Sequence, residues 1–317
     1  MQEHILNEHL ECKICGAKFD SIRGMHLHIS KKHSISQKEY YETYYPRKSL
    51  LNKHKISFKN YNQYFKDKFR NKTEFKTWTE VAPDSEVKKY ISKIYQERVK
   101  FKKSKNALSH IELELSDLPP IKLYQKLFGS YAEFAKQQSL KTFFCKKIPK
   151  DFWTKEEPND LKIFIDTREQ KPVEYKNSEE MKLDFGDYTS AAPYYDYTYI
   201  DRKSEADFKS TMSGSNFERF LREIDRARKF NSYLYVVVES DIEKIKKNNP
   251  FSPHKSKLPY IWHNVKKISQ EYQDVCQIIF ATNRSGLKKI IPRLLLFGSK
   301  LWNTDVQFFL DKQRYEK

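Results

Sequence analysis

Apolar and polar positions along this chain follow two different periods. Val87, Tyr90, Ile91, Ile94 and Tyr95 recur at helical spacing and predict a helix over 85–101. Phe217, Phe220, Leu221, Ile224 and Ala227 do the same over 216–229. The text HSISQKEYYETYY predicts a helix capped near Ser36, and 56–78 is a further helical stretch, separated from the next by Pro83. Pro119-Pro120 and Gly129 punctuate 115–140 into two short helices around a turn. Beyond residue 160 the pattern changes to short apolar runs. Leu161 to Ile165 reads as a buried strand that delivers Asp166 at its end, a second run closes on Gly186-Asp187, and a third spans Tyr197 to Lys203. Tyr233–Glu239 and Cys276–Ala281 are two more buried-strand patterns, with helices expected over 258–272 and 286–296. Strands alternating with helices predict an α/β sandwich around a mixed sheet.

Candidate chemistry lies on the third run. Successive side chains of a strand point to opposite faces. Asp201 and Lys203 therefore share one face, while Ile200 and Arg202 take the other. If the strand starting at Asp187 pairs with this run as a hairpin, Asp187 approaches Asp201, and two carboxylates meet beside an ammonium. Carboxylate oxygens with water are the setting that Mg²⁺, or Mn²⁺ in its place, prefers. A metal so held stabilises the attacking and leaving oxygens at a phosphodiester. In this reading Asp187 and Asp201 are the metal ligands, Asp166 assists directly or through water, and Lys203 orients the attacking water or offsets developing charge. The alternative is a set of surface carboxylates at strand ends.

The order Gly186-Asp187, an interval, then Asp201-Arg202-Lys203 and, three residues on, Asp207 resembles the XPF-type structure-specific nucleases, a branch of the PD-(D/E)xK superfamily. Asp166-Thr167-Arg168-Glu169 is similar to that family's first strand. The likeness covers about residues 160–310 and implies a restriction-endonuclease-like domain with the catalytic set Asp166, Asp187, Asp201 and Lys203. Where the family usually has Glu, this chain has Asp201, one methylene shorter, so altered metal geometry is expected rather than lost activity. The resemblance also implies that Arg202, as a DNA contact, and Asp207 support the scissile strand or the local fold, and that the helix carrying Arg219, Arg222 and Arg226 lies beside the site, where the arginines approach phosphate or simply face solvent. Eukaryotic members usually carry a tandem helix-hairpin-helix module after the nuclease. None follows here, which moves the expected DNA-binding burden to the N-terminal half.

That half opens with a second metal pattern. Cys12 and Cys15 are followed by twelve residues, His28, four more and His33, with Phe19 and Met25 at the two apolar positions between the pairs. This resembles the two-Cys/two-His zinc finger, a ββα unit too small to fold on its core alone, so Zn²⁺ is expected to supply much of its folding energy. With His28 at helix position seven, Ser21, Gly24 and Leu27 fall where base readers sit. Glycine and leucine offer no hydrogen bonds there, so Arg23, Lys31 and Lys32 are the expected phosphate contacts, with protein–protein docking as the alternative. The finger followed by a KEYY-type helix resembles the front ends of phage mobile-DNA endonucleases. FGSYAEFAKQQSL is similar to a short repeat of homing endonucleases, although a plain helical hairpin or a helix-turn-helix unit fits the same text.

Charge strengthens the expectation of an anionic partner. The chain has 317 residues and a formal net charge of +18, and residues 31–110 alone carry 21 basic and 8 acidic groups among many tyrosines and phenylalanines. Basic side chains between aromatics suit phosphate contact with stacking; a solvated helical face is the alternative. No apolar run of ~18 residues is present to cross a membrane. The N-terminus lacks signal-peptide order. With four cysteines and no disulfide framework, a reducing interior is expected: cytoplasm or nucleoid of a bacterial or phage-infected host. Cys145 and Cys276 read as buried thiols. The expected organisation is a finger at 1–35, a mostly helical basic region at 36–150 and the nuclease at 151–317. The expected activity is Mg²⁺-dependent, site-directed cutting of double-stranded DNA. Two-strand cutting would need a homodimer or sequential nicks. Flap or junction repair, or an inactive DNA-binding protein, are the competing functions.

Overall fold

A computed structural model of the chain describes residues 10–100, 105–116, 118–247 and 258–315. It divides into two compact units, Met1–Lys89 and Tyr90–Lys317. In the first, a bridge between Glu11 and Lys18 forms the small hairpin ahead of helix α1 (Ile22–His33), whose N-cap Ser21 accepts from the Gly24 amide. Helix α2 (Gln37–Tyr44) starts at the expected cap, Ser36. The stretch 56–78 is not one helix but two, α3 (Tyr61–Lys66) and α4 (Lys72–Val81), because Asn60 and Asn71 each cap a separate start. Cys12, Met25 and Ile29 share one core with Tyr40, Tyr41, Ile56, Phe58 and Tyr64. The Tyr40 hydroxyl also accepts from the Lys13 amide at 2.8 Å, pinning the cysteine loop. The finger is therefore packed into a larger aromatic unit.

A polar knot closes the same unit. The buried Glu74 carboxylate accepts from Ser49 Oγ at 2.7 Å, Asn52 Nδ2 at 3.1 Å, the Arg70 amide at 2.9 Å and the Arg70 guanidinium. Burial alone would raise its pKa, but these donors bring it down to about 2. Helix α5 (Asp84–Val99) spans the division between the units, with Val87, Ile91 and Tyr95 buried; the last two residues of the expected helix, beyond Val99, are a turn and a position outside the described residues.

The second unit begins with three short helices, α6 (His110–Glu114), α7 (Ile121–Phe128) and α8 (Tyr131–Gln137). Gly129, at φ +80°, makes the turn between the last two, and Ser130 caps α8. The rest is a six-stranded mixed sheet of β1 (Ile163–Asp166), β2 (Ser178–Met181), β3 (Tyr188–Ser190), β4 (Thr198–Lys203), β5 (Tyr233–Val238) and β6 (Cys276–Phe280), in the order β2-β1-β3-β4-β5-β6. β3 runs antiparallel to both neighbours, and the other pairings are parallel. Two cores lie on opposite faces. Leu234, Val236 and Val238 face helices α9 (Glu205–Thr211), α10 (Gly214–Lys229) and α12 (Leu258–Glu271), whereas Tyr233, Tyr235 and Val237 face α13 (Arg284–Phe297) and the chain leading to α14 (Val306–Tyr315). A one-turn helix, α11 (Ile242–Lys246), follows β5.

Two expectations need correction. The run closing on Gly186-Asp187 is not a strand: Leu183 and Phe185 are buried in a loop, and pairing begins at Tyr188. Cys276 is buried but Cys145 is exposed, because 142–149 runs over the surface without an element to bury it. All four cysteines are free thiols, and among the described residues no helix is long and apolar enough to cross a membrane.

Candidate functional site

The β3–β4 hairpin pairs Tyr188 with Ile200 and Thr189 with Tyr199, and the Asp187 amide donates to Ile200 O at 2.6 Å. Continuing that register sets Asp187 beside Asp201. Gly186 makes the approach possible. It adopts φ +68°, and a Cβ there would lie 2.9 Å from Ile200 O. One Asp187 oxygen accepts from the Arg202 amide at 2.6 Å. On Asp201, Oδ1 accepts from Lys203 Nζ at 2.7 Å, while Oδ2 is buried with no hydrogen-bond partner. Burial, then the charge of Asp201, pushes the Asp187 carboxyl well above the usual carboxylate range. Lys203 is held charged: burial would lower its pKa, but Asp201 and then Asp187 raise it further. Two carboxylates set opposite each other on paired strands resist joint ionisation.

Sequence reasoning missed Glu223. From α10 its Oε1 accepts from the Gly186 amide at 3.2 Å. Burial and then Asp201 raise its pKa, and it acts in turn on Lys203. It lies beside the buried stripe of α10, one turn from both Arg219 and Arg226, and no local pattern marks it. Those two and Arg222 are exposed along the helix.

Other expected residues have different surroundings. Asp166 is 2% exposed. Its two oxygens are taken by the Arg168 amide and guanidinium at 2.6–2.8 Å and by the Leu183 amide at 2.7 Å, which makes it the organiser of the turn after β1. Arg202 is buried on the opposite face of β4, bonded to Glu169 at 2.9 and 3.1 Å and to Glu239 at 3.1 Å, so its guanidinium is out of reach of phosphate. Asp207 accepts from Ser204 Oγ at 2.5 Å, and the Ser204 side chain in turn caps α9.

In the other unit Cys12, Cys15, His28 and His33 bring four donor atoms within 4.8 Å of one another. Their separations are 3.5 Å for Cys12 Sγ–His33 Nε2, 3.2 Å for Cys15 Sγ–His28 Nε2 and 3.1 Å between the two imidazole nitrogens. A tetrahedral ion with bonds of ~2.0–2.3 Å needs ligand edges of ~3.3–3.8 Å, and these three separations lie in or within ~0.2 Å of that range. His26 points elsewhere, to the Tyr41 hydroxyl at 2.9 Å. Arg23, Lys31 and Lys32 are exposed on α1. Among the described residues it is this group that converges as three or more ligands. The acids around Lys203 do not close to the same degree while the ammonium is seated on Asp201.

No protein family and no curated protein matches the sequence. Among solved structures, XPF from Aeropyrum pernix in complex with DNA is similar over 44% of this chain and 66% of that one, at 17% identity and a TM-score of 0.33. XPF from Aeropyrum pernix without that description is similar over 47% and 69%, at 14% identity and a TM-score of 0.31. At this level the chemistry of the site is read from its own residues.

Proposed function

We propose that the chain is a divalent-metal-dependent DNA endonuclease, site-directed in the manner of homing or phage mobile-element enzymes. The observation that carries the reading is Asp187 placed opposite Asp201 by the hairpin register, beside Lys203, with the buried Asp201 Oδ2 lacking any partner. The carboxylate oxygens there are hard donors, which fits Mg²⁺ or Mn²⁺. Asp187 and Asp201 would hold the ion, which would supply charge stabilisation at a scissile phosphate. Lys203 places a proton donor against Asp201 and can turn it toward a phosphoryl oxygen. Arg219, Arg222 and Arg226 line the adjoining helix surface as phosphate contacts, and Asp166 holds the turn from which Asp187 is reached by the bond from its amide to Asp187 O.

In the N-terminal unit we propose Zn²⁺ on Cys12, Cys15, His28 and His33, with Arg23, Lys31 and Lys32 on DNA phosphates. Finger, basic helical region and nuclease are proposed as three functional segments. The test is incubation of the chain with linear duplex and with branched DNA, each with Mg²⁺ or EDTA. Mg²⁺-dependent cutting of duplex at a defined place is the expected result. Cutting only at branches would replace it with a flap or junction nuclease, and no cutting with a DNA-binding protein. D187N, D201N and K203A should each abolish cutting while leaving salt-sensitive DNA binding in place.

A further inference from the structure

Three carboxyl groups meet at the β3–β4 turn: Asp201 holds Lys203 Nζ at 2.7 Å, Asp187 accepts from the Arg202 amide at 2.6 Å, and Glu223 reaches the Gly186 amide at 3.2 Å. Glu223 arrives from α10, on the helical layer, and not from the sheet. It is tied to the site at a second point, because its Oε1 accepts from the amide of Gly186, the residue before Asp187. The independent sign of a ligand is Asp201 Oδ2, on a side chain 2% exposed, which has no hydrogen-bond partner. A divalent cation would supply the missing partner.

We propose that Glu223 is the third acid of this cation site, acting on the ion through its shell of water. This rests on the nuclease reading above. Mg²⁺ dehydrates reluctantly and keeps several waters when one or two carboxylates bind it, which leaves room for a further carboxylate to accept from those waters. Among the described residues the three acids do not converge together as direct ligands, as such an arrangement requires. Because Glu223 also holds the Gly186 amide, filling the site would tighten the turn that presents Asp187.

The zinc-loaded full chain is titrated with Mn²⁺ and free Mn²⁺ is followed by electron paramagnetic resonance, a readout independent of cutting. Wild type should bind one Mn²⁺, and D187N and D201N should lose it. E223Q keeps the size and the oxygen that accepts from Gly186, and removes only charge. Its Mn²⁺ affinity should fall about tenfold or more with no change in melting temperature, in keeping with other outer contacts to metal sites. E223D, which keeps the charge on a shorter arm, should bind more tightly than E223Q. Wild-type affinity in E223Q, or equal loss in E223D and E223Q, would overturn the proposal while leaving the two-aspartate site intact. A wild-type chain that bound no Mn²⁺ would remove the site reading itself.

Discussion

Gly186→Ala tests the geometry at its tightest point. The residue sits at φ +68°, and a β-carbon would stand 2.9 Å from Ile200 O and 3.4 Å from a Leu234 methyl carbon. Holding alanine in that backbone region costs about 1 kcal/mol. Ile200 O cannot simply retreat, because it accepts from the Asp187 amide at 2.6 Å, and weakening that bond costs about 1 kcal/mol more. The sum is about 2 kcal/mol, which for a unit of this size lowers the melting temperature by about 4–8 °C. Gly129→Ala is the control within the same unit. It has φ +80° but nothing within 4 Å of the added carbon, so only the backbone cost of about 1 kcal/mol applies. The assay is thermal unfolding by circular dichroism of both variants, with Mn²⁺ affinity measured alongside. G186A should melt below G129A and bind Mn²⁺ more weakly, since Asp187 is the next residue. If the two melt together and G186A binds Mn²⁺ normally, the close approach of the turn to β4 has been misread.

Other parts of the molecule give predictions of their own. Stripping zinc with a chelator, or Cys12→Ser, should loosen Tyr40 and Tyr41 along with the finger, because they share its core; near-ultraviolet dichroism should fall, and an unchanged spectrum would separate the finger from the aromatic cluster. Glu74→Ala should cost about 2–3 kcal/mol, since it strands the donors of Ser49 and Asn52, and a variant as stable as wild type in chemical denaturation would refute this. Because the folded Glu74 pKa lies at about 2, below the unfolded value of ~4.3, its contribution is present above the unfolded value and is lost as pH falls from there through 2. His110 behaves oppositely. Burial would lower its pKa, but the Asp311 carboxylate at 2.8 Å raises it, so its contribution is complete below ~6.5 and is lost as pH rises through the folded value; H110Q should flatten the pH dependence of melting over that window. Arg202→Met leaves Glu169 and Glu239 buried against each other and should cost about 3–5 kcal/mol, with E169Q/E239Q restoring part of it; a stable R202M would show the ion pairs to be dispensable.

How much of this was legible beforehand depends on whether the signal is local. The period of two along 197–203 is a property of one strand, so the shared face of Asp201 and Lys203 could be read from the text alone. The same holds for the cap at Ser36 and for the four finger residues, whose spacing carries the geometry. Glu223 carries no such mark. A glutamate between arginines on an amphipathic helix looks solvated until the sheet beneath it is known. β2 escaped because SEEM has no apolar face to display; it is an exposed strand at the edge of the sheet, held to β1 by backbone bonds. Ser49, Asn52, Arg70 and Glu74 are ordinary polar residues far apart in sequence, and only folding makes them a network. The roles expected of Asp166 and Arg202 came from motif order, which records that residues occur together and is silent about which carboxylate or guanidinium is already taken by a neighbour.

Strand β4 explains how one short stretch can serve both scaffold and chemistry. On one face Arg202 meets Glu169 and Glu239, and Glu239 is shared with Arg284 at 2.8 Å, so two cations balance two anions. The Arg284 guanidinium continues to the carbonyls of Lys171 and Pro172, tying the loop after β1 to the start of α13. That face is closed: its charges cancel and its hydrogen bonds are made. On the other face Lys203 is seated on Asp201, the charges of Asp187 and Glu223 act on the same ammonium, and one buried Asp201 oxygen is left without a partner. Burying unbalanced charge is costly unless a ligand completes it. The neutral network on the first face fixes the backbone of Arg202, and it is the amide of Arg202 that holds Asp187 in place on the second. The satisfied side of the strand thus holds in place the side on which Asp201 Oδ2 is left without a partner.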